Sequence, residues 1–110
     1  MVTVYIPKQG DLAWLTLDPT LGHEQKGRRP VMVVSSSTYN RIGMALICPV
    51  TSQVKGYPFE VPLKELQLEG AVLSDQIRAV DWQSRRLEFI EKASTSVLNR
   101  VRKNLAKLME

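Results

Sequence analysis

The stretch GDLAWLTLDP, residues Gly10 to Pro19, decides the fold class that we predict for the chain. Apolar side chains occupy both alternating series between Leu12 and Leu17, which predicts a β-strand with both faces partly covered. A glycine precedes the run and a proline follows it, as is typical of strand boundaries. We interpret Trp14, inside this strand, as a core residue.

Five further stretches also predict β-structure. The segment STYNRIG between the first two of them predicts a turn or a single helical turn. Pro49 is expected to end or bulge its strand, because proline cannot donate to a sheet. In the stretch GYPFEVPL, Phe59 and Val61 are expected to lie on the same face of the strand. The five stretches are PVMVVSS (30–36), MALICPVT (44–51), GYPFEVPL (56–63), AVLSDQIRAVDW (71–82) and RRLEFIEK (85–92).

The pattern changes at Ser94, where a helix is predicted to run to the end of the chain. Ser94 or Thr95 is expected to cap it, because a hydroxyl accepts from the free backbone N–H groups of the first turn. The apolar stripe of this helix comprises Val97, Leu98, Val101, Leu105 and Leu108, and the opposite, solvated face carries Arg100, Arg102, Lys103 and Lys107. Many short strands and one terminal helix predict a compact, partly open β-barrel with the helix packed on it.

Composition restricts the class of protein further. At 110 residues the chain is expected to be one domain over residues 1–110, and its formal charge of +4 suits a polyanionic partner such as nucleic acid. Cys48 is the single cysteine, which excludes an intramolecular disulfide and suggests a buried thiol. One cysteine and one histidine cannot form a standard zinc site. No signal peptide or membrane span is evident, so a cytoplasmic protein is expected.

The loop GHEQKGRRP, residues Gly22 to Pro30, concentrates acid, base and cations in nine positions. One interpretation is a solvated loop in which Arg28 and Arg29 pair with nearby carboxylates. The other is a phosphate site, because a guanidinium holds a phosphate bidentately. In that case Glu24 or His23 would move a proton during phosphodiester transesterification.

The stretch CPVTSQVKGYPFEV supplies a second group of candidates. Thr51 and Ser52 place two hydroxyls at a strand end, where they would either cap a turn or donate to a phosphate oxygen. Lys55 and Tyr57 add a cation beside an aromatic face on which a base can stack.

A third group lies in LSDQIRAVDW. Asp75 and Gln76 carry polar edges able to read bases, and Arg78 adds a further cation. Trp82, at the end of this stretch, is interpreted as core rather than as a stacking platform.

The order of these pieces resembles the MazF/PemK (Kid) family of toxin endoribonucleases from type II toxin–antitoxin systems. The matching pieces are GDLAWLTLDPTLGHEQKGRRPVMVVS, YN at residues 39–40, CPVTSQVKGYPFEV and LSDQIRAVDW. The resemblance implies an SH3-like barrel with a C-terminal helix, acting as a homodimer without a cofactor. It also implies metal-independent, sequence-specific cleavage of single-stranded RNA to 2′,3′-cyclic phosphate and 5′-hydroxyl ends, which inhibits translation and growth. A cognate antitoxin with an acidic, partly disordered segment is the expected partner.

The resemblance also assigns site residues. The family's essential arginine before a proline falls on Arg29, its threonine on Thr51 and its loop glutamate on Glu24. Members differ at the position of His23, so histidine is not expected to be the obligatory base. Asp75 matches an aspartate implicated in the PemK-like branch, but Leu73 or Ser74 stands where that branch has an arginine.

Two alternatives of other classes stay open at this point. One is a gyrase poison of the CcdB type, which shares the barrel but needs no phosphate-gripping loop. The other is a β-barrel that binds RNA without cutting it.

Overall fold

The strands and helices are defined over most of the chain. The computed structural model describes residues 4–16, 27–64 and 67–110. In these ranges the elements are, in chain order, β1 (Asp11–Thr16), β2 (Arg28–Val33), α1 (Ser37–Asn40), β3 (Met44–Thr51), β4 (Glu60–Pro62), β5 (Ala71–Leu73), β6 (Arg78–Asp81), β7 (Glu88–Lys92) and α2 (Thr95–Met109). The expected mainly β class with a C-terminal helix is confirmed.

The strands pair antiparallel throughout, in the order β4-β5-β3-β2-β1-β7, with β6 also paired to β3. Strand β3 is therefore the centre of the sheet. Its first half pairs with β6 and its last two residues pair with β5, while β2 lies along its other edge. Among the described strands the path ends at β4 and β7, so these pairings do not themselves close the expected barrel.

Both faces of the sheet are buried, because neighbouring side chains along a strand point to opposite sides. The helix-side core joins Leu12, Met32 and Cys48 to Val97 and Val101 of α2. A second core on the other face contains Leu15, Val31, Val33, Ala45, Ile47, Val80 and Trp82. This double burial explains why β1 and β2 are apolar in both alternating series.

Helix α2 begins as predicted. The Ser94 hydroxyl caps it by accepting the N–H of Val97 at 3.2 Å. Val97 and Val101 are buried, and the four predicted cations are exposed. The predicted stripe is too long at its end, because Leu108 remains 43% exposed.

Pro49 does not end β3, contrary to the expectation. The strand runs through it to Thr51, and Pro49 pairs with Val31 of β2. On its other edge, β3 pairs with β6 up to Ile47 and with β5 from Val50 onward. Pro49 lies in the gap between these two partners, where a residue without a backbone donor is tolerated.

Other strand boundaries also differ from the prediction. Arg28 and Arg29 were assigned to a loop but belong to β2, where pairing with β1 extends the ladder to Arg28. Strand β4 starts at Glu60, so Phe59 lies in the preceding turn. The stretch 71–82 forms two strands, because a turn at Ser74–Asp75 separates β5 from β6.

Trp82 is confirmed as a core residue. It is 6% exposed, and its indole Nε1–H donates to the backbone oxygen of Asn40 at 2.8 Å. The amide of Asn40 in turn donates to Pro7 O at 2.8 Å and to Ser35 O at 3.1 Å. This buried network fixes the turn between β2 and β3.

Candidate active site

An open groove of about 750 Å³ lies where the ends of β2 and β3 meet. Its volume is in the range of small-ligand pockets, roughly 300–1,000 Å³. Six of the residues predicted from the sequence line it: Arg28, Arg29, Thr51, Ser52, Gln76 and Arg78. Residues from three separate stretches of the sequence therefore meet at one place.

The register of β2 against β3 explains how Arg29 and Thr51 come together. The pairs run from Val33 opposite Ile47 to Val31 opposite Pro49. Arg29 and Thr51 lie two residues beyond this last pair, each on the same face of its strand as the paired residue, and both line the groove. Both side chains therefore lie on the face of the sheet that carries the second core, at the place where that core ends and the groove begins.

Arg29 and Arg28 have different environments although they are neighbours. Arg28 donates from Nη1 to Thr16 Oγ1 at 3.1 Å and forms an ion pair from Nη2 with Glu88 Oε1 at 3.0 Å. Arg28 thus ties β2 to β1 and β7. The exposed Arg29 side chain makes no hydrogen bond or ion pair with any residue that the structure describes. Its guanidinium is the one of the pair that can turn to a ligand.

The hydroxyl of Thr51 has the first of the two roles considered for it, the capping of a turn. Its Oγ1 accepts the backbone N–H of Gln53 at 3.0 Å, which is a turn-capping contact. A hydroxyl also has a hydrogen to donate, and here that hydrogen is not used by the cap. The Thr51 hydroxyl, which lies at the groove, therefore keeps its hydrogen for donation.

Gly70 packs closely against the backbone of Thr51, and sequence reasoning missed it. Its φ is +120°, and an ideal Cβ built on it would lie 2.2 Å from the carbonyl oxygen of Thr51. Its own carbonyl oxygen accepts the N–H of Leu63 at 2.9 Å. Only glycine permits both this backbone conformation and this close approach. The available signal was a glycine directly before the apolar run of β5.

Trp14 was predicted to be core, and this is wrong. It is 39% exposed and lines the groove. It pairs with Pro30, two residues along the strands from the Leu12–Met32 pair of the helix-side core, which does not extend to this position. Its exposed ring adds an aromatic surface beside the arginines.

Lys55, Tyr57 and Asp75 do not line the groove. The phenol of Tyr57 donates to Asp75 Oδ1 at 2.7 Å, and this hydrogen bond raises the pKa of Tyr57 to about 12. The ring of Tyr57 is thereby tied to the turn between β5 and β6. His23 and Glu24 lie outside the described residues.

The hydrogen bond between Tyr57 and Asp75 predicts a measurable titration. The pKa of Tyr57 should be about 12 in the folded protein, against an ordinary value near 10, and should fall towards 10 in Asp75→Asn. Since the folded state holds this proton more tightly, the bond stabilises the fold fully below the unfolded pKa and this contribution disappears as pH rises through about 12. The difference in tyrosinate absorbance between the wild type and Tyr57→Phe measures the pKa. An unchanged value in Asp75→Asn would contradict the assignment.

Cys48 is confirmed as a buried thiol. It is fully buried, and burial, together with the charge of Asp75, raises its pKa to about 12. The thiolate is negligible at neutral pH, so Cys48 is not suited to be a nucleophile.

A groove lined by a hydroxyl and by a guanidinium that has no partner among the described residues is chemically suited to a phosphodiester. The chain belongs to the family of PemK-like, MazF-like toxins of type II toxin–antitoxin systems, whose model matches residues 8–109. The predicted family membership is thus confirmed.

Individual relatives agree with this membership. The endoribonuclease toxin MazF of Escherichia coli K12 is 48% identical over 86 residues, which cover 77% of this chain and 78% of the relative. The endoribonuclease PemK of Escherichia coli is 30% identical over 108 residues, covering 93% and 81%. The crystal structure of MazF from Deinococcus radiodurans superposes with a TM-score of 0.86 at 48% identity, covering 96% of this chain and 98% of that one.

Among the described residues, no helix is long and apolar enough to cross a membrane.

Proposed function

We propose that this protein is the toxin of a type II toxin–antitoxin system and acts as an endoribonuclease. The membership of the chain in the PemK-like, MazF-like family and its 48% identity to an endoribonuclease toxin favour this activity over a gyrase poison and over a non-catalytic RNA-binding barrel. The observation that carries the site assignment is that one groove is lined both by Arg29, which has no partner among the described residues, and by Thr51.

Arg29 is proposed to hold the scissile phosphate. A planar guanidinium donates two parallel hydrogen bonds to phosphate oxygens and keeps its charge at any working pH. Negative charge on those oxygens grows as the phosphorane forms, so a positioned cation stabilises the transition state more than the ground state. Arg78, exposed in the same groove, adds positive charge for the flanking backbone.

The proposed reaction is a transesterification within the RNA. The ribose 2′-oxygen attacks phosphorus and the bond to the 5′-oxygen breaks, which leaves a 2′,3′-cyclic phosphate and a 5′-hydroxyl. Thr51 donates to a nonbridging oxygen. A proton must leave the 2′-hydroxyl and another must reach the 5′-oxygen. We assign these transfers to Glu24, with His23 as the alternative, on the sequence resemblance alone.

Base recognition is proposed to use the sides of the groove. The exposed ring of Trp14 offers a stacking surface, and the amide of Gln76 offers donor and acceptor groups to base edges. Ser52 lies next to Thr51 and can contact the adjoining phosphate. Lys55, Tyr57 and Asp75 lie outside the groove and would meet nucleotides beyond the cut.

The partners follow from the same proposal. Solved complexes of MazE with MazF from Deinococcus radiodurans include one that superposes on this chain with a TM-score of 0.85 at 44% identity. We infer an antitoxin with an acidic segment that is disordered before binding, because such a segment matches the charge of the RNA that it displaces. A homodimer and a cytoplasmic RNA target belong to the same proposal.

Cleavage of RNA in excess EDTA tests the function directly. Purified protein incubated with a long RNA of mixed sequence should produce discrete new 5′ ends that share a short motif. The ends should carry 5′-hydroxyl groups, with 2′,3′-cyclic phosphates on the upstream fragments. Ends with 5′-phosphate would refute the transesterification. Absence of cleavage by folded protein, with inhibition of gyrase instead, would favour the CcdB-type alternative.

The role of Thr51 predicts a contrast between two substitutions. Thr51→Ser keeps the hydroxyl and should retain most activity. Thr51→Val has nearly the same shape but removes the hydroxyl, and with it both the donor and the cap on the Gln53 N–H. It should lower kcat by about tenfold or more, tenfold being the worth of one hydrogen bond. Single-turnover cleavage of an oligonucleotide containing a mapped cut site measures both. Equal rates for the valine and serine variants would remove Thr51 from the mechanism.

A further inference from the structure

A buried carboxylate holds the segment between β3 and β4, residues 52–59. Glu60, the first residue of β4, is 5% exposed. Its Oε1 accepts the N–H of Lys55 at 3.0 Å and that of Gly56 at 2.6 Å, and Oε2 lies 3.1 Å from the same Lys55 nitrogen. The N–H of Glu60 donates to the carbonyl oxygen of Tyr57 at 3.0 Å. One residue thus contacts three consecutive backbone positions of the segment.

The backbone at Lys55 and Gly56 forms a small anion-binding concavity. Gly56 has φ of +84°, and consecutive N–H groups beside a left-handed residue converge on an anion. The anion here is the chain's own Glu60. A Cβ at Gly56 would meet nothing within 4 Å, so glycine is required by the backbone conformation and not by space.

The segment held in this way connects the groove to the candidate residues that lie outside it, Lys55, Tyr57 and Asp75. It starts directly after Thr51, and it carries Lys55 and Tyr57. The phenol of Tyr57 reaches Asp75, and the amide of Asn104 on α2 donates to the hydroxyl of Ser74 at 3.1 Å, next to that aspartate. The Glu60 contacts therefore set where a cation and an aromatic ring lie relative to the Thr51 hydroxyl.

We propose that Glu60 is a positioning residue for RNA binding, which acts by holding residues 55–57 in the conformation that RNA meets. This inference rests on the proposed function. A carboxylate near a phosphate backbone would by itself weaken RNA binding. A segment that is already ordered, however, spares the entropy that binding would otherwise lose in ordering it. The two effects of Glu60 have opposite signs, so an experiment can separate them.

Glu60→Gln tests the proposal. The amide has similar shape but only one acceptor oxygen, and its NH₂ group repels the backbone donors. We expect Kd and KM for RNA to rise about tenfold while kcat changes less than about twofold. Kd is measured on a single-stranded oligonucleotide that spans a mapped cut site and carries a 2′-deoxyribose at the cut. If Glu60 acted only through its charge, the same substitution would lower Kd.

Glu110→Gln is the matched control. Glu110 is exposed beside the end of α2, outside the groove, and its side chain makes no hydrogen bond or ion pair with the described residues. Its substitution removes the same charge without releasing a backbone segment, so Kd should stay the same or fall. Gly56→Ala perturbs the segment through its backbone and leaves Glu60 in place, and it should raise KM in the same direction as Glu60→Gln.

The outcomes are distinguishable. Wild-type Kd in folded Glu60→Gln and Gly56→Ala, or a loss confined to kcat, would overturn the positioning role. If Glu60→Gln does not fold, Gly56→Ala decides the question alone. If the wild type binds single-stranded RNA of mixed sequence without cutting it, the proposed catalysis fails, and the Kd comparison on that RNA still decides the role of Glu60.

Discussion

Arg29→Ala is expected to lower kcat for RNA cleavage by about 10²–10³-fold, the loss that follows removal of one preorganised donor to a transition state. The fold should remain intact, because the side chain is exposed and has no partner among the described residues. Single-turnover cleavage of an oligonucleotide with a mapped cut site gives the rate, and thermal melting gives the stability.

Two comparisons sharpen this test. Arg100→Ala removes another exposed arginine, on α2, and should leave kcat almost unchanged, which controls for the loss of one positive charge. Arg29→Lys keeps the charge but not the planar fork, and should recover only part of the activity. Normal cleavage by purified Arg29→Ala would show that the phosphate is held elsewhere.

Gly70→Ala is expected to damage both stability and cleavage. The new methyl group would lie 2.2 Å from the carbonyl oxygen of Thr51, so the backbone that carries the hydroxyl must move. A displacement of 1 Å at a catalytic group costs about 10²-fold in rate. The positive φ of Gly70 adds strain of about 1–3 kcal/mol. Denaturant unfolding and single-turnover cleavage measure the two losses separately.

Gly43→Ala separates the strain from the collision. Gly43 has φ of +102°, but a Cβ there would meet nothing within 4 Å. It should lose similar stability through strain and cleave RNA at nearly the wild-type rate. Equal effects of the two substitutions on cleavage would mean that Gly70 does not position Thr51.

Much of the secondary structure was predictable because its signals are local. Alternating and double-sided apolar runs predicted β1, β2 and β3, and a hydroxyl followed by a 3.6-residue apolar period predicted α2 and its cap at Ser94. The errors occurred where pairing partners decide the outcome. Pro49 continues its strand because it lies in the gap between β6 and β5, and Arg28 and Arg29 are strand residues because β1 pairs with them.

The candidate site was predictable in its chemistry and less so in its arrangement. Arg29 and Thr51 could be selected from residue type and from resemblance to a family. Arg28 contacts Thr16 and Glu88, which are far apart in the sequence, while Arg29 has no partner in the described part of the chain. No local pattern distinguishes the two arginines. Trp14 was misassigned because an aromatic residue in an apolar strand gives the same pattern whether or not the core reaches it.

The amino-acid sequence by itself determined the mainly β class, the terminal helix, the cation-rich chemistry and the family, because these depend on residue type, short-range order and motif. The tertiary structure alone decided which side chains meet. The pairing of β2 with β3 brings Arg29 and Thr51 to one groove, the close approach of Gly70 restricts the Thr51 backbone, and the Glu60 carboxylate holds the segment after it. These contacts join residues that no local pattern connects, and their energies exist only when the sheet has formed.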